Sequence, residues 1–158
     1  GYTVDHRRAR LGAGAEVYAA ACAALRTWRM ATLGWANIRP SDAPIVPGAT
    51  VAMVVRHVGC WSTHACRVVY VVDEATAYGR RFAFAYGTLP AHAARGEERF
   101  AVEWHAADGS VWYDLLAFSR AGHWLTRLGH PVRRHLQRRF GHASVQAMRA
   151  AVGGRLRA

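Results

Sequence analysis

The residues best suited to chemistry lie in one segment, FAYGTLPAHAARGEERF, which joins two strand-like stretches of the chain. The side-chain period of two in a strand places Tyr86 and Thr88 on one face of the first stretch. It places Glu98 on the corresponding face of the second stretch, and His92 lies between them. A buried carboxyl beside a tyrosine or histidine is a general acid–base pair for a carbonyl substrate. The segment therefore predicts Glu98, with Tyr86 or His92, as the candidate catalytic group.

The same carboxylate has two other interpretations that involve no catalysis. The loop from 89 to 97 contains several backbone amides, and Glu98 is able to accept their hydrogen bonds. Glu97 and Arg99 would then face outwards, and Arg99 would pair with a neighbouring acid. Alternatively, Glu98 orients a ligand bound in a pocket. The sequence leaves all three interpretations open.

The elements that must position these residues are mainly antiparallel strands. Alternating or valine-rich stretches predict six strands, at 2–11, 50–57, 65–73, 80–88, 98–105 and 110–118. An alanine-rich amphipathic helix is predicted at 15–28 and a long irregular connection at 34–49. A turn is predicted at 59–63.

The C-terminal segment is predicted to be a helix of more than five turns. From 132 onwards the apolar residues recur at helical spacing, on a stripe that comprises Val132, Leu136, Phe140, Ala143, Ala147 and Ala151. The glycines at 153–154 are expected to end the helix. A curved antiparallel sheet wrapped around such a helix is an α+β helix-grip arrangement, predicted to form one domain over residues 1–158.

A strongly curved sheet is not filled by one helix, so this arrangement can leave a ligand cavity. The predicted apolar lining is Phe82, Phe84, Phe100, Trp104, Leu136 and Phe140. The predicted polar rim is Tyr86, Thr88, His92 and Glu98. The face of the fifth long strand depends on the turn at Asp108 and Gly109. A two-residue turn brings Tyr113 and Leu115 to the cavity side, and a three-residue turn brings Trp112, Asp114 and Leu116.

The charge of the chain is strongly positive, at +11, and all 21 basic residues are arginine. Such a balance can indicate nucleic-acid binding. The arginines are, however, spread along the whole chain, which favours a solvated surface over a nucleic-acid site. A basic adaptor for nucleic acid or an anionic membrane remains an alternative, through Arg133, Arg134, Arg138 and Arg139.

The sequence gives no sign of a metal, a cofactor or a membrane span. The nine histidines are scattered, no paired CxxC or HExxH occurs, and no glycine loop suited to phosphates is present. His57 and His64 are expected to meet across a hairpin. Three cysteines without a leader sequence predict reduced thiols and a cytoplasmic protein, although a Cys60–Cys66 bond is conceivable. No apolar run approaches the roughly 20 residues that span a bilayer.

Several motifs resemble a bacterial and plant family catalogued as domain of unknown function nineteen-ninety. The most specific is YGTLPAHAARGEERF at 86–100, and CRVVYVVDE at 66–74 and QRRF at 137–140 also match. The resemblance covers nearly the whole chain. It implies a START-like, polyketide-cyclase-like helix-grip fold, in agreement with the order of elements. It implies no established activity.

The resulting functional prediction is a cavity protein that binds a hydrophobic or amphipathic small molecule, such as a lipid, isoprenoid or polyketide-like compound. The apolar body of the ligand would lie between the sheet and the C-terminal helix, and its polar end would meet the rim. The alternative is an enzyme in the same cavity, a cyclase, dehydratase or hydrolase that uses Glu98 with Tyr86 or His92. The sequence leaves the oligomeric state and the ligand undefined.

Overall fold

The computed structural model describes residues 3–57, 59–89, 94–121 and 130–156. The strands are β1 (Thr3–Ala13), β2 (Ala36–Arg39), β3 (Thr50–His57), β4 (Cys60–Thr76), β5 (Gly79–Thr88), β6 (Ala94–His105) and β7 (Ser110–Ala121). The helices are α1 (Ala15–Arg26), a short 3₁₀ helix (Arg29–Ala31) and α2 (His130–Arg155). No described helix is both long enough and apolar enough to cross a membrane.

The strands form one antiparallel sheet in the order β1-β7-β6-β5-β4-β3-β2. Consecutive strands from β2 to β7 pair as neighbours, and β1 pairs with β7 at the far edge. Short hairpins explain this meander, because sequential antiparallel strands need no crossover. The sheet thereby places β5 and β6, which carry the candidate residues, at its centre.

Two parts of the predicted strand pattern are wrong. The connection 34–49 contains β2, whose Ala36 and Ile38 are buried against the core. This strand has only four residues and runs into a proline, so its period is too short to detect. The predicted turn at 59–63 is shorter, because Gly59 has a φ of 76° and Cys60 already pairs with His57.

The inner face of the sheet packs against α1 and the second half of α2. The buried side of α2 consists of Phe140, Ser144, Met148 and Val152. The predicted stripe of Ala143, Ala147 and Ala151 is therefore displaced by one position, and these alanines are half-buried. Burial of Phe140, Met148 and Val152 contributes more free energy than burial of alanine, so α2 is rotated about its axis to bury these larger side chains. The helix also continues through Arg155, beyond the predicted end at 153–154.

The face of β7 follows the two-residue-turn alternative. Tyr113 lies opposite Val102 and Leu115 opposite Phe100, so both point inwards. The connection between β6 and β7 has four residues, 106–109, which preserves the same parity. Asp114 consequently points to the outer face, where its side chain is only 4% exposed.

Candidate functional site

The candidate site is built on a direct cross-strand pair in the middle of the sheet. Tyr86 of β5 lies opposite Glu98 of β6, and both point to the inner face. The Tyr86 hydroxyl donates a hydrogen bond of 2.5 Å to the Glu98 carboxylate. Side chains directly opposite on antiparallel strands are close enough for such contact, so the shared face predicted from the sequence agrees with the structure.

The carboxyl of Glu98 has an unusual electrostatic environment. Burial raises its pKa from 4.5 to about 7, the hydrogen bond from Tyr86 opposes that change, and the nearby charge of Asp5 adds to it. The residue nevertheless keeps some accessible surface. A group enclosed by protein that still contacts solvent-sized space lines a concavity rather than the exterior. At neutral pH both the acid and the carboxylate are populated, as general acid–base chemistry requires.

The groups beside Glu98 are held in their neutral forms. Burial raises the pKa of Tyr86 well above its usual value, and the charge of Glu98 raises it further. Tyr86 is therefore a hydrogen-bond donor at physiological pH. Burial, followed by the charge of Glu98, raises the pKa of the Cys66 thiol to about 12. Cys66 is thus a small neutral wall residue rather than a nucleophile.

The inner face changes character along the strands. One half is densely packed, and its inward side chains are at most 2% exposed: Phe82, Phe84, Phe100, Val102, Val111 and Tyr113. In the other half Cys66 is 2% exposed, but six side chains are half-buried: Thr88, Glu98, Ala117, Ser119, Leu136 and Gln137. Among the described residues, this half, which we call the open half, is therefore less tightly enclosed than the packed half. The change occurs at Tyr86 and Phe100, next to Glu98.

The packed half contains several residues predicted to contact ligand. The Trp28 ring packs edge-on against Phe84 at 5.2 Å between ring centroids, and Phe84 stacks on Phe100 at 5.3 Å. The Arg26 guanidinium covers the Phe82 ring at 3.9 Å. Because these three phenylalanines are fully enclosed by protein, they support the site from below rather than offering free surface.

Two further predicted residues lie away from the open half. Trp104 is six positions beyond Glu98 on β6, about 20 Å along the strand, where it packs near Tyr18 of α1. Phe140 is 8% exposed and belongs to the core side of α2. Leu136, one turn earlier on the same helix, is half-buried.

Thr88, predicted to lie on the polar rim, connects the adjoining ends of β5 and β6. Its hydroxyl accepts a hydrogen bond of 3.1 Å from the Gly96 backbone amide. A Cβ at Gly96 would lie 2.2 Å from the Phe118 carbonyl oxygen, so glycine allows β6 to approach β7 here. His92, the remaining predicted rim residue, lies outside the described residues.

Polar contacts connect α2 to the sheet at the open half. Gln137 donates a hydrogen bond of 2.9 Å to the Ser119 hydroxyl, and Arg134 pairs with Asp5 of β1. These polar contacts hold the first part of α2 over the sheet. They also occupy Arg134, and the Arg139 guanidinium lies 4.3 Å from the Trp35 ring centroid. Two of the four arginines proposed for an adaptor surface are therefore engaged within the protein.

A second polar group extends along the β3–β4 hairpin. The Ser62 hydroxyl lies 2.9 Å from His64 Nε2 and 3.2 Å from His57 Nε2. Burial, together with the nearby charge of His57, lowers the pKa of His64. The predicted meeting of the two histidines is thus mediated by a serine. The conceivable Cys60–Cys66 bond is absent, since both thiols are free and the two cysteines lie six positions apart along one extended strand.

Comparison with known proteins gives the family of the chain. The family model described as "Domain of unknown function (DUF1990)" matches residues 1–147. The chain belongs to this family. A relative called "UPF0548 protein", from Dictyostelium discoideum, is 38% identical over 159 residues, which cover 96% of this chain and 74% of that protein. The resemblance detected in the sequence is confirmed.

Solved structures define the fold of this DUF1990 chain. Zhui aromatase/cyclase from Streptomyces sp. R1128 has a TM-score of 0.67 at 12% identity, covering 100% of this chain and 98% of that chain. A norcoclaurine synthase point mutant from Thalictrum flavum, in complex with a transition state analogue, has a TM-score of 0.62 at 8% identity, covering 98% and 96%. At such identities the likeness shows the fold alone. The predicted helix-grip fold, a curled antiparallel sheet with a C-terminal helix, is confirmed.

Sequence reasoning missed two residues next to the candidate site, Cys66 and Asp5, whose charges or side chains lie near Glu98. Cys66 lies opposite Thr88, but a register shift between Val68 and Tyr70 reverses the parity of β4. The alternation of β4 therefore gives the wrong face for one half of the strand. The alternation of β1 shows that Asp5 faces the inner side of the sheet only when the pairing of Asp5 with Ala117 of β7 is known. No group of three His, Cys, Asp or Glu side chains that could hold a metal occurs in the described part of the chain.

Proposed function

We propose that this DUF1990 protein binds a hydrophobic or amphipathic small molecule, such as a lipid, isoprenoid or polyketide-like compound, between the sheet and the first half of α2. The proposal rests on the half-buried side chains of the inner face, which lie next to the enclosed carboxyl of Glu98. A ligand pocket in proteins is mostly apolar and has a few converging polar groups. Leu136, Ala117 and the ring of Tyr86 supply the walls, and Glu98 supplies the polar contact.

The fold comparison supports the same proposal. The solved structures that share the helix-grip fold include an aromatase/cyclase and a synthase in complex with a transition state analogue. In this chain the half-buried side chains around Glu98, among them Thr88 and Ala117, support a ligand space next to that carboxyl. A raised carboxyl pKa also indicates a poorly hydrated environment, which suits an apolar guest.

Filling this space is expected to block binding of an apolar probe. Ala117 faces inwards opposite Glu98, and its neighbour Leu116 faces outwards. We expect Ala117→Phe to weaken the binding of N-phenyl-1-naphthylamine, an uncharged fluorophore, by at least about tenfold, because the added ring occupies the ligand space. Leu116→Phe adds a ring on the opposite face and should leave the titration unchanged.

Two results of the fluorescence titration would contradict the proposal. Equal affinity of the two variants, both folded by circular dichroism, would show that the probe binds elsewhere. Wild-type protein that gives no fluorescence increase, and no extra apolar mass in native mass spectrometry, would exclude an apolar cavity ligand.

A second function, catalysis in the same cavity, is favoured by the Glu98–Tyr86 pair. A carboxyl whose pKa lies near 7 exchanges protons with substrate at neutral pH, and Tyr86 would donate to a developing oxyanion. If the ligand that co-purifies with the protein is converted on incubation, we expect Glu98→Gln to abolish the mass change while probe binding stays. Conversion at the wild-type rate by that variant would exclude Glu98 as the catalytic group, and no conversion by the wild type would leave binding as the function.

A further inference from the structure

A polar groove separate from the inner cavity runs between β1 and α2. Its volume is about 400 Å³, and its lining residues are His6, Arg7, Arg8, Ala9, His142, Val145, Gln146 and Arg149. The four α2 residues recur at helical spacing and so form one stripe along the helix. No carboxylate is among the lining residues. We propose that this groove binds the phosphate group of a small molecule.

The charges of the groove are only partly neutralised. On the outer side, Arg8 lies 2.7 Å from Glu103, and His6 lies 2.7 Å from Asp114. No described carboxylate pairs with Arg7 or Arg149, which leaves two uncompensated guanidinium groups in one groove. Both guanidinium groups line the same groove, so a bound anion of charge −1 to −2 would compensate part of their positive charge.

Arg7 is held in place by the helix backbone. A Cβ at Gly141 would lie 2.4 Å from Arg7 Nε and 2.6 Å from its Cδ, so the arginine lies directly against the helix at a residue without a side chain. Arg7 is half-buried, whereas Arg149 is exposed. A guanidinium fixed in this way loses little conformational freedom when it binds an anion, which favours a bidentate contact.

The chemistry of the groove favours phosphate over an apolar or aromatic ligand. Its only apolar lining residues are Ala9 and Val145, and no phenylalanine, tyrosine or tryptophan ring lines it. Arginine forks fit phosphate oxygens well, and Gln146 and His142 offer further polar contacts. The volume accommodates a small phosphorylated compound. This inference does not depend on the inner cavity.

Calorimetric titration with pyrophosphate at low ionic strength tests the proposal. We expect Arg149→Gln to weaken binding at least about tenfold, because each charge-assisted contact contributes that much. Arg7→Gln should have the same effect. If Arg7→Gln fails to fold, Arg149→Gln still tests the proposal, because Arg149 is exposed. The control is Arg138→Gln, an exposed arginine of α2 outside the groove that removes the same charge from the chain.

Two sources of phosphate are separated by a second arm with vesicles that contain phosphatidic acid. Loss of vesicle binding in Arg149→Gln, but not in Arg138→Gln, assigns the groove to a lipid headgroup. Loss of pyrophosphate binding with unchanged vesicle binding assigns it to a soluble phosphate compound. The proposal is overturned if Arg138→Gln weakens both probes as much as Arg149→Gln, since binding would then reflect only the net charge of +11. It is also overturned if neither probe binds the wild-type protein.

Discussion

Glu98→Gln is expected to remove a large pH dependence from the stability of this protein. The pKa of Glu98 is raised to about 7 in the folded state, against 4.5 for the ordinary carboxyl. We expect the free energy of unfolding of the variant, relative to wild type, to rise by about 2–3 kcal/mol between pH 4.5 and pH 8. The amide keeps the shape of the acid and can still accept the hydrogen bond from Tyr86.

The sign of the effect follows from proton binding. Between pH 4.5 and 7 the folded protein holds the Glu98 proton more tightly than the unfolded chain. The folded state of the wild type is therefore favoured at low pH and loses this contribution as the pH rises through the folded-state value. Glutamine carries no such proton, so the variant lacks this component of the pH dependence.

Urea unfolding at a series of pH values measures this difference. Glu97→Gln is the matched control, since Glu97 is the next residue on β6 and faces the opposite side of the sheet. A constant difference between Glu98→Gln and wild type across the pH range would contradict the enclosed site. A difference that falls as the pH rises would support instead the interpretation in which Glu98 only accepts hydrogen bonds from nearby amides, since such bonds lower a carboxyl pKa.

Asp114→Asn is expected to destabilise the protein by about 2–3 kcal/mol at neutral pH. The Asp114 carboxylate is 4% exposed and lies 2.7 Å from both Arg99 and His6, with Arg8 at 3.4 Å. Burial alone would raise its pKa, but the hydrogen bonds and charges of His6 and Arg99 hold the pKa below its usual value. Removing the negative charge leaves the guanidinium groups of Arg99 and Arg8 without their common partner. Their own partial exposure limits the loss.

The effect of Asp114→Asn should shrink in acid. A depressed carboxyl pKa stabilises the folded state above the unfolded value, and this contribution is lost as the pH falls through the folded-state pKa. Wild type and variant should therefore converge at low pH in urea unfolding. Asp42→Asn, at an exposed position without a described ion pair, should change the stability by less than about 0.5 kcal/mol. If Asp114→Asn lowered the stability as little as Asp42→Asn does, the outer-face carboxylate would not stabilise the fold.

The pair of residues at the site could be identified before the structure because the information is local. Tyr86 and Glu98 each sit in a strand with regular alternation, and alternation fixes the face of a side chain within its own strand. The partner of Arg99 could not be named in the same way. It is Asp114, on a strand that reaches β6 through a four-residue connection, and whether it faces in or out depends on that connection.

The predicted phenylalanine lining shows where alternation is insufficient. Phe82, Phe84 and Phe100 do point inwards, as the period of two requires. Their complete enclosure depends on Trp28 and Arg26, which approach from a different part of the chain. A pattern of period two gives the direction of a side chain, not the depth to which another element covers it. The phenylalanines therefore belong to the packed half of the face.

The sequence by itself determined the order of the long strands, the C-terminal helix and the common face of Tyr86 and Glu98, since these depend on periodicities within single segments. The tertiary structure alone decided the register shift in β4 that brings Cys66 beside the site, the short edge strand β2, and the rotation of α2 that buries Met148. The physical reason is that register and burial arise from contacts between segments far apart in sequence, where the volume to be filled is set by both partners.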